Sequence, residues 1–305
     1  MDRELRGRIA LVTGGTDGVG KEIARGLARL GINVIVVGRD AAKGARTIEE
    51  IRVEIGGAGI EFLSADLSRM SEAERLASSL AGRLSSLHYL VHSAGVVRGH
   101  YELTPEGIES NFANYLSRFV LTNRLLPLLD AGGRKSQTSR IVLVSGAATN
   151  GPIHWNDVNL TKRFNTVRAV RQFCQANDLF TVEMAERLRV TTEGRVTITS
   201  LKLGVVKTNI RREFPGWMKL LVLLAFDPLL GQTPQEAAAP ALQLLLSKEF
   251  ESLTGRLFMQ VRKFKELRLP KSLLDQEARR RFWDLSERLT GWAATASSTC
   301  SARMK

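Results

Sequence analysis

A glycine-rich segment between an apolar run and a helical run most constrains the fold of this chain. Residues 13–20 read Thr-Gly-Gly-Thr-Asp-Gly-Val-Gly, directly after the aliphatic residues 9–12. Gly14 would permit a tight turn, Gly18 would let backbone amides approach a diphosphate, and Gly20 would let a helix pack closely on the strand. The helix dipole would point at the same anion. The other loop residues expected at a dinucleotide site are Thr16, Asp17 and Val19.

Apolar, β-branched runs alternate with longer segments of helical period along most of the chain. The predicted strands cover residues 9–12, 32–37, 60–64, 87–92, 140–145, 196–201 and 256–260. The predicted helices cover residues 20–30, 41–55, 71–84, 106–129, 163–188 and 235–247, with another running from about 270 to 289. Repeated strand and helix units with continuously apolar strands indicate a parallel sheet covered on both faces. We therefore predict a doubly wound, Rossmann-type α/β fold with three layers.

The domain organisation follows from changes in this pattern. We expect one nucleotide-binding domain over residues 1–260, which includes an apolar, substrate-covering segment at 207–231. A C-terminal helical extension is predicted at 261–291, and the small, polar residues at 292–305 are expected to form a disordered tail.

Composition limits the location and the partners. The two cysteines are far apart in the sequence, which gives no disulfide framework and no metal-ligand spacing, so we expect a reducing, cytoplasmic location and no metal. The N-terminus lacks the apolar region of a signal peptide, and no apolar stretch reaches the roughly 20 residues of a transmembrane helix. The net charge is +13, but the basic residues are scattered and no nucleic-acid-reading module is present, so we expect no nucleic-acid partner.

The end of the second predicted strand indicates the cofactor. Gly38 occupies the place where a carboxylate would bond the adenosine ribose, and Arg39 follows it. An arginine here can form charge-assisted hydrogen bonds with a 2′-phosphate, and Lys21 and Lys43 add positive charge nearby. These residues favour NADP(H) over NAD(H). The alternative for Arg39 is a solvated residue at the start of a helix.

With this loop, Arg39, the pair Asp66-Leu67 and the run Ser93-Ala94-Gly95, the chain resembles the short-chain dehydrogenase/reductase family, most closely its retinol-dehydrogenase-like branch. The resemblance implies that Asp66 bonds the adenine amino group and that Ala94 and Gly95 flank a ribose. It also implies homo-oligomers built through the two long helices predicted at 106–129 and 163–188.

The resemblance fails where the family carries its chemistry. The family uses Asn, Ser, Tyr and Lys, with Tyr and Lys four residues apart on one helix face. Asn114 matches, whereas Gly146 stands in the position of Ser, Val170 in that of Tyr and Cys174 in that of Lys. The chain is thus expected to bind the cofactor without the usual proton-transfer groups.

Three residues are candidates for a replacement proton donor, and each has a purely structural alternative. Tyr115 follows Asn114 but would face another way on the helix, as a packed or exposed aromatic residue. His154 lies in a loop that shapes the substrate pocket in the family, or is a solvated surface histidine. Lys202 ends a strand and would point into the crevice, or would make a phosphate or surface contact. Cys174 itself is expected to be a small buried hydrophobic residue.

The nicotinamide end of the site resembles the family in Val205 and Thr208. The apolar residues that follow, 210–230, predict either a lipophilic ligand or simply a core or dimer contact. The basic and aromatic runs 217–219 and 279–283 also leave peripheral contact with an anionic membrane open.

Three functions are therefore considered. The first is an NADP(H)-dependent oxidoreductase acting on a lipophilic carbonyl, alcohol or activated double bond with a non-standard proton source. The second is a non-redox enzyme, such as a cyclase, an isomerase or a pericyclase, in which bound NADP shapes the cavity. The third is a cofactor-binding protein without catalysis.

Overall fold

The computed structural model describes residues 5–57, 59–134, 136–207, 231–261 and 263–292. The strands are β1 Ile9–Thr13, β2 Asn33–Gly38, β3 Ile60–Ser64, β4 Tyr89–His92, β5 Ser139–Gly146, β6 Val196–Leu203, β7 Arg256–Gln260 and β8 Phe264–Leu267. The helices are α1 Gly18–Arg29, α2 Ala41–Ile55, α3 Met70–Ala81, α4 Ser110–Gly132, α5 Thr166–Thr191, α6 Pro234–Leu246, α7 Lys271–Leu274 and α8 Gln276–Thr290.

The strands form one sheet in the order β3-β2-β1-β4-β5-β6-β7-β8, in which only the pair β7 and β8 is antiparallel among the described strands. The central strands β1, β2 and β4 are largely apolar and buried because both faces of the sheet are covered by helices there. In β1, Leu11 points into a core shared with α3, α4 and α5, whereas Ala10 and Val12 point into a second core shared with α1, α2 and α6. The predicted doubly wound α/β fold is confirmed.

The strand order reverses beside β1, and this positions the site. β1 pairs with β2 on one side and with β4 on the other, and Thr13 is aligned with His92. The connections after β1 and β4 therefore leave the sheet in opposite directions. Ligands of open α/β sheets bind in a crevice beside such a reversal, so the carboxyl ends of β1, β4, β5 and β6 mark the candidate site.

The two long helices begin a few residues later than predicted because of their capping residues. Glu109 accepts hydrogen bonds from the Asn111 and Phe112 amides at 2.9 and 3.0 Å, and α4 begins directly after it. Asn165 caps α5 in the same way, accepting from the Val167 amide at 2.9 Å. A side-chain cap satisfies backbone donors that lack an intrahelical partner, so it sets where the helix starts.

The C-terminal region differs from the prediction in two respects. β8 lies inside the predicted helical extension, so the sheet does not end at residue 260. Trp292, assigned to the tail, packs against Phe119 with ring centroids 5.5 Å apart. The rest of the predicted tail and most of the predicted covering segment lie outside the described residues.

Helix α8 packs across α4 and α5 and buries its own aromatic residues. Phe282 and Trp283 are almost fully buried, and Arg279 bonds to Glu183 of α5 at 3.3 Å. The aromatic rings of the run 279–283 are therefore not available to a membrane, which contradicts the membrane contact predicted for this run. The other run with this prediction, 217–219, lies outside the described residues. Among the helices of the described ranges, none is both long and apolar enough to cross a membrane.

Candidate cofactor and active site

The turn between β1 and α1 leaves no room for side chains at two of its glycines. Gly14 has a φ of +68°, and a Cβ there would lie 2.7 Å from backbone atoms of Ala94. A Cβ on Gly20 would lie 2.4 Å from the Gly14 carbonyl oxygen. Gly18, at the first position of α1, also has a positive φ, of +51°. The loop thus presents bare backbone at the N-terminus of α1, an arrangement that suits a diphosphate.

Asp17 is the N-cap of α1. Its carboxylate accepts a hydrogen bond from the Gly18 amide at 2.8 Å and forms an ion pair with Lys43 of α2. The ion pair offsets a negative charge that would otherwise repel phosphate groups. Val19 turns its side chain into the core, so it can offer a ligand only its backbone.

The Thr16 side chain packs against the end of β2, where Gly38 has no side chain to obstruct it. A Cβ on Gly38 would lie 2.9 Å from Thr16 Cγ2. The Thr16 carbonyl also accepts a hydrogen bond from the Thr47 hydroxyl of α2 at 3.3 Å. Gly38 therefore has a packing role in addition to leaving the ribose position without a carboxylate.

Thr13 joins the loop to the end of β4. Its hydroxyl donates to the Val91 carbonyl and accepts from the amides of Ser93 and Ala94, each at 3.2 Å. The predicted residues 93–95 are thereby held beside Gly14.

The adenosine end of the crevice contains Arg39 and Asp66. The Arg39 side chain is 41% exposed, and its Nε lies 4.0 Å from an Asp66 oxygen. That oxygen accepts hydrogen bonds from the Ser68 amide and hydroxyl at 3.1 and 2.8 Å. The Leu67 carbonyl accepts from the Ser117 hydroxyl at 2.5 Å, which ties this loop to α4. Because its side chain is 41% exposed, the Arg39 guanidinium is accessible to a phosphate.

At the nicotinamide end, the Val205 carbonyl accepts a hydrogen bond from the Gln232 amide at 2.9 Å. The Gln232 carbonyl in turn accepts from the Lys207 amide at 3.0 Å. These two hydrogen bonds bring together the two ends of the predicted covering segment, because they join Val205 and Lys207 on one side of it to Gln232 on the other. Thr208, also predicted to bind cofactor, lies outside the described residues.

The three positions predicted to replace the family's Ser, Tyr and Lys lie close together. A Cβ on Gly146, at the end of β5, would lie 3.4 Å from the Cys174 Sγ on α5. Val170 is one turn before Cys174 on the same helix face and packs against the core. Burial raises the pKa of the Cys174 thiol, so this residue remains neutral at physiological pH. Gly146 thus contributes no side chain, Val170 contributes an isopropyl group and Cys174 contributes a protonated thiol.

Asn114 acts as a brace. Its amide nitrogen donates to the Val96 carbonyl at 2.9 Å and to two carbonyls of its own helix, and its amide oxygen accepts from the Val96 amide at 3.2 Å. Both ends of the side chain are therefore occupied by backbone. Asn114 holds α4 to the loop after β4 and is a positioning residue.

Tyr115 is not placed to donate a proton. It is fully buried, and its hydroxyl hydrogen bonds to the Ser286 hydroxyl of α8 at 2.7 Å. Burial among the aromatic rings also raises the pKa of the phenol. The prediction of a catalytic role for Tyr115 is wrong because adjacent helix residues face different ways, and this one faces α8.

His154 is also turned away from the catalytic positions. Its ring nitrogens lie 2.8 and 3.0 Å from nitrogens of Arg168, and its amide donates to the Gln172 side chain at 2.9 Å. Arg168 and Gln172 are on the opposite face of α5 from Val170 and Cys174, since helix residues two apart point in nearly opposite directions. Burial and the Arg168 charge lower the pKa of His154. The geometry therefore contradicts its predicted catalytic role.

Lys202 is buried in an ion pair. The side chain is completely shielded from solvent, and its ammonium donates to both oxygens of Asp178 on α5 at 2.7 and 2.8 Å. Because Asp178 is one turn after Cys174, the pair lies next to the aligned Lys position. The expected open access of Lys202 to the crevice is wrong, and its charge is already matched.

Arg118 is the residue that the sequence predictions missed. It is four residues after Asn114 and thus on the same face of α4. Its guanidinium donates to the carbonyls of Ala94 and Val144 and to the Asn177 side chain, at 2.9 to 3.0 Å. Burial lowers the pKa of Arg118 to about 10, which leaves it protonated at neutral pH. The spacing from Asn114 was the one sequence signal that could have identified it.

Comparison with known sequences gives a consistent result. Residues 8–173 match the short chain dehydrogenase family. The polyprenol dehydrogenase of Homo sapiens is 30% identical over 286 residues, which cover 93% of this chain and 85% of that protein. The retinol dehydrogenase 14 of Mus musculus is 33% identical over 302 residues, which cover 94% of this chain and 87% of that protein.

Solved structures share the fold. An uncharacterised protein of Mycobacterium paratuberculosis superposes with a TM-score of 0.73 and 26% identity, covering 94% of both chains. The RhlG/NADP active-site complex of Pseudomonas aeruginosa superposes with a TM-score of 0.68 and 25% identity, covering 85% of this chain and 97% of that chain.

Proposed function

Because the chain is a member of the short-chain dehydrogenase/reductase family of oxidoreductases, in its retinol-dehydrogenase-like branch, we propose that it is an NADP(H)-dependent enzyme that transfers hydride without the family's tyrosine. The observation that carries this proposal is a contrast within one crevice. The glycine loop keeps the backbone shape that a diphosphate requires, whereas Gly146, Val170 and Cys174 bring no acid or base to the other end.

The choice of NADP(H) rests on Arg39 and Gly38. The exposed guanidinium follows a strand that ends without a carboxylate, so a 2′-phosphate would meet a positive charge at the end of β2. The RhlG structure, which shares this fold, was determined as a complex with NADP. In this chain the backbone of the loop would hold the diphosphate, and Asp66 and residues 93–95 would hold the adenosine.

Catalysis would then depend on positioning. NADPH supplies the hydride when it is bound. Asn114 and Thr13 keep the loops after β4 and β1 in place, and Val170 gives the reacting end an apolar wall. With Tyr115, His154 and Lys202 all bonded elsewhere, we propose that water supplies the proton. A positioned general acid contributes typically about 10² to 10⁴ in rate, so its loss slows hydride transfer without preventing it.

The proposed substrate is lipophilic. The sequence 210–230, which lies outside the described residues, is rich in Leu, Val, Phe and Trp, as expected for a segment covering an apolar ligand. Two similar proteins are named for polyprenol and retinol, both long apolar alcohols. Activated double bonds suit this site best, because a substrate carbonyl can carry the negative charge until water protonates it.

A non-redox reaction in a cavity shaped by bound NADP is the second candidate. It is favoured by the raised pKa of the Cys174 thiol and by the apolar Val170, which leave the predicted Tyr and Lys positions themselves without an ionised group. Cofactor binding without catalysis is the remaining alternative. The same experiment separates all three.

Location and assembly are also proposals. A buried free thiol at Cys174 suits a reducing, cytoplasmic compartment. The homo-oligomer expected through α4 and α5 would need a face that α8 already covers, with Phe282 and Trp283 buried there. We propose that any homo-oligomer uses a different surface.

The test is turnover with a panel of lipophilic aldehydes, enones and imines, followed by the loss of NADPH absorbance. Enone or imine reduction by the wild-type protein, with a higher NADPH concentration needed by Gly20→Ala, supports the oxidoreductase. Tight NADPH binding without consumption of NADPH would reject it. Conversion of a substrate at constant NADPH would then identify the second candidate, and no conversion at all would leave cofactor binding alone.

A further inference from the structure

The guanidinium of Arg118 is a buried positive charge at the carboxyl ends of β4 and β5. Arg118 is 4% exposed. It donates to the carbonyl of Ala94, which follows β4, and to the carbonyl of Val144, near the end of β5. A Cβ on Gly95 would lie 3.7 Å from its Nη2. The charge therefore lies between the loop after β4 and the last residues of β5, where Val144 is two residues before Gly146.

Arg118 also adjoins the position where the family has lysine. It donates to the Asn177 side chain at 3.0 Å and lies over the Phe173 ring, 5.2 Å from its centre. Phe173 directly precedes Cys174. Burial lowers the pKa of Arg118, and the electrostatic interaction with the Cys174 thiol partly offsets this by raising it. The guanidinium thus reaches from α4 to the surroundings of Cys174, the predicted position of the family's lysine.

The charges in this region do not cancel. Lys202 is matched by Asp178, but within the described ranges every hydrogen-bond acceptor of Arg118 is a neutral carbonyl or amide oxygen. The Arg118 Nε is buried and has no hydrogen-bond partner among the residues that the structure describes. A buried charge without a counter-charge is costly, so it will act strongly on any charge placed nearby.

We propose that Arg118 supplies the positive charge that this chain lacks at Cys174, and that this charge makes the site prefer NADPH to NADP⁺. The inference rests on the proposed cofactor. Its physical basis is that the oxidised nicotinamide ring is cationic whereas the reduced ring is neutral. A fixed buried cation beside the predicted lysine position repels the first and not the second.

Binding constants for the two nucleotides test this directly. We expect isothermal titration calorimetry to show that wild-type protein binds NADPH at least about tenfold tighter than NADP⁺, the size of effect that one unit charge has through a partly polar interior. Arg118→Gln should bring the two affinities close together, whereas Arg118→Lys, which keeps the charge, should retain most of the difference.

Arg140→Gln is the matched control for damage to the fold. Arg140 is another buried arginine, on strand β5, and it likewise donates to two backbone carbonyls, those of Leu244 and Ser247 at 3.1 and 2.8 Å. It lies at the amino end of β5, away from the crevice. Its loss should lower stability to a similar degree and leave the NADPH preference unchanged.

A second pair of variants avoids removing Arg118. Cys174→Asp places a carboxylate beside the guanidinium and should reduce the NADPH preference, while Cys174→Ser should not. An unchanged preference in both Arg118→Gln and Cys174→Asp, or equal affinities in the wild type, would overturn the inference and leave the proposed function standing. Failure of the wild type to bind either nucleotide would overturn both.

Discussion

The Tyr115 hydroxyl lies 2.7 Å from the Ser286 hydroxyl and joins helix α4 to helix α8 inside an aromatic cluster. The cluster consists of Tyr115, Phe119, Phe180, Phe282 and Trp283, with neighbouring ring centroids 4.9 to 6.5 Å apart. The contact gives Tyr115 a structural role, and it separates the question of stability from that of proton transfer.

Tyr115→Phe should therefore lower stability and spare cofactor binding. The change removes one buried hydrogen bond, which is worth about 1 kcal/mol, while Ser286 keeps its bond to the Phe282 carbonyl at 2.9 Å. Urea unfolding measures the loss, and the more exposed Tyr101→Phe is the control. Loss of turnover at unchanged stability would instead restore Tyr115 as a catalytic residue.

Gly20→Ala should disrupt the phosphate loop. The new methyl group would lie 2.4 Å from the Gly14 carbonyl oxygen, and backbone on both sides must move to admit it. Overpacking of this kind costs about 1 to 3 kcal/mol, so NADPH affinity should fall by roughly tenfold to a hundredfold. Gly82→Ala is the control, because its methyl group meets only ordinary contacts at 3.7 and 3.8 Å. Equal NADPH affinity of the two variants would place the nucleotide elsewhere.

Arg39→Ala should weaken NADPH binding more than NADH binding. A hydrogen bond to a charged group contributes about 1.5 to 3 kcal/mol, so the NADPH-to-NADH affinity ratio should drop at least tenfold. Arg83→Ala removes a surface arginine that pairs with Glu61 at 2.7 Å and should leave the ratio unchanged. A ratio that does not respond to Arg39→Ala would show that specificity is set by other residues.

His92 should make the fold sensitive to acid. Burial, and then the Arg118 charge, hold the pKa of His92 well below its ordinary value, and its ring bonds to the Thr122 hydroxyl at 2.8 Å. The unfolded chain takes up this proton near pH 6.5 and the folded chain does not. The stability contributed by neutral His92 is therefore present above pH 6.5 and lost as pH falls below it, by about 1.4 kcal/mol per pH unit.

Urea unfolding at pH 7.5 and 5.5 tests this sign. His92→Asn should reduce the pH dependence, with His88 and His154, whose pKa values are also lowered, accounting for part of what remains, while the exposed His100→Gln should leave the wild-type slope. The same slope in wild type and His92→Asn would mean that other groups cause the acid sensitivity.

Restoring the family's groups should need more than three substitutions. Gly146→Ser, Val170→Tyr and Cys174→Lys together would place a new ammonium between Arg118 and Lys202, at a cost of about 1 to 3 kcal/mol from like-charge repulsion. Adding Arg118→Gln should recover that stability and raise reductase activity above that of the triple variant. The outcome is read from urea unfolding and NADPH consumption. A triple variant as stable as the wild type would show that the region has no excess positive charge.

The parts of the structure that follow from local rules were predictable. Strands buried on both faces are continuously apolar, and the loop glycines are fixed by backbone crowding, so both are visible in the sequence. β8 was missed because this edge strand is short and has two adjacent exposed charged residues, so Phe264–Leu267 lacks the continuous apolar run of the other strands.

The polar contacts of the site were not predictable in the same way. Arg118 meets Asn177 across 59 positions of sequence, and Lys202 meets Asp178 across 24. Only the packing of α4 and β6 against α5 brings these groups together. A lysine at the end of a strand gives no sign of whether its partner is a ligand or a carboxylate of the same protein.

Helix α8 comes after every strand of the sheet in chain order, yet it shields the aromatic face of α4 and α5. During synthesis that face must wait, uncovered, until residues 276–290 have left the ribosome. A nascent chain of this protein is therefore a natural client for chaperones over much of its translation, and a premature stop before α8 would yield an aggregation-prone product even with the nucleotide loop complete.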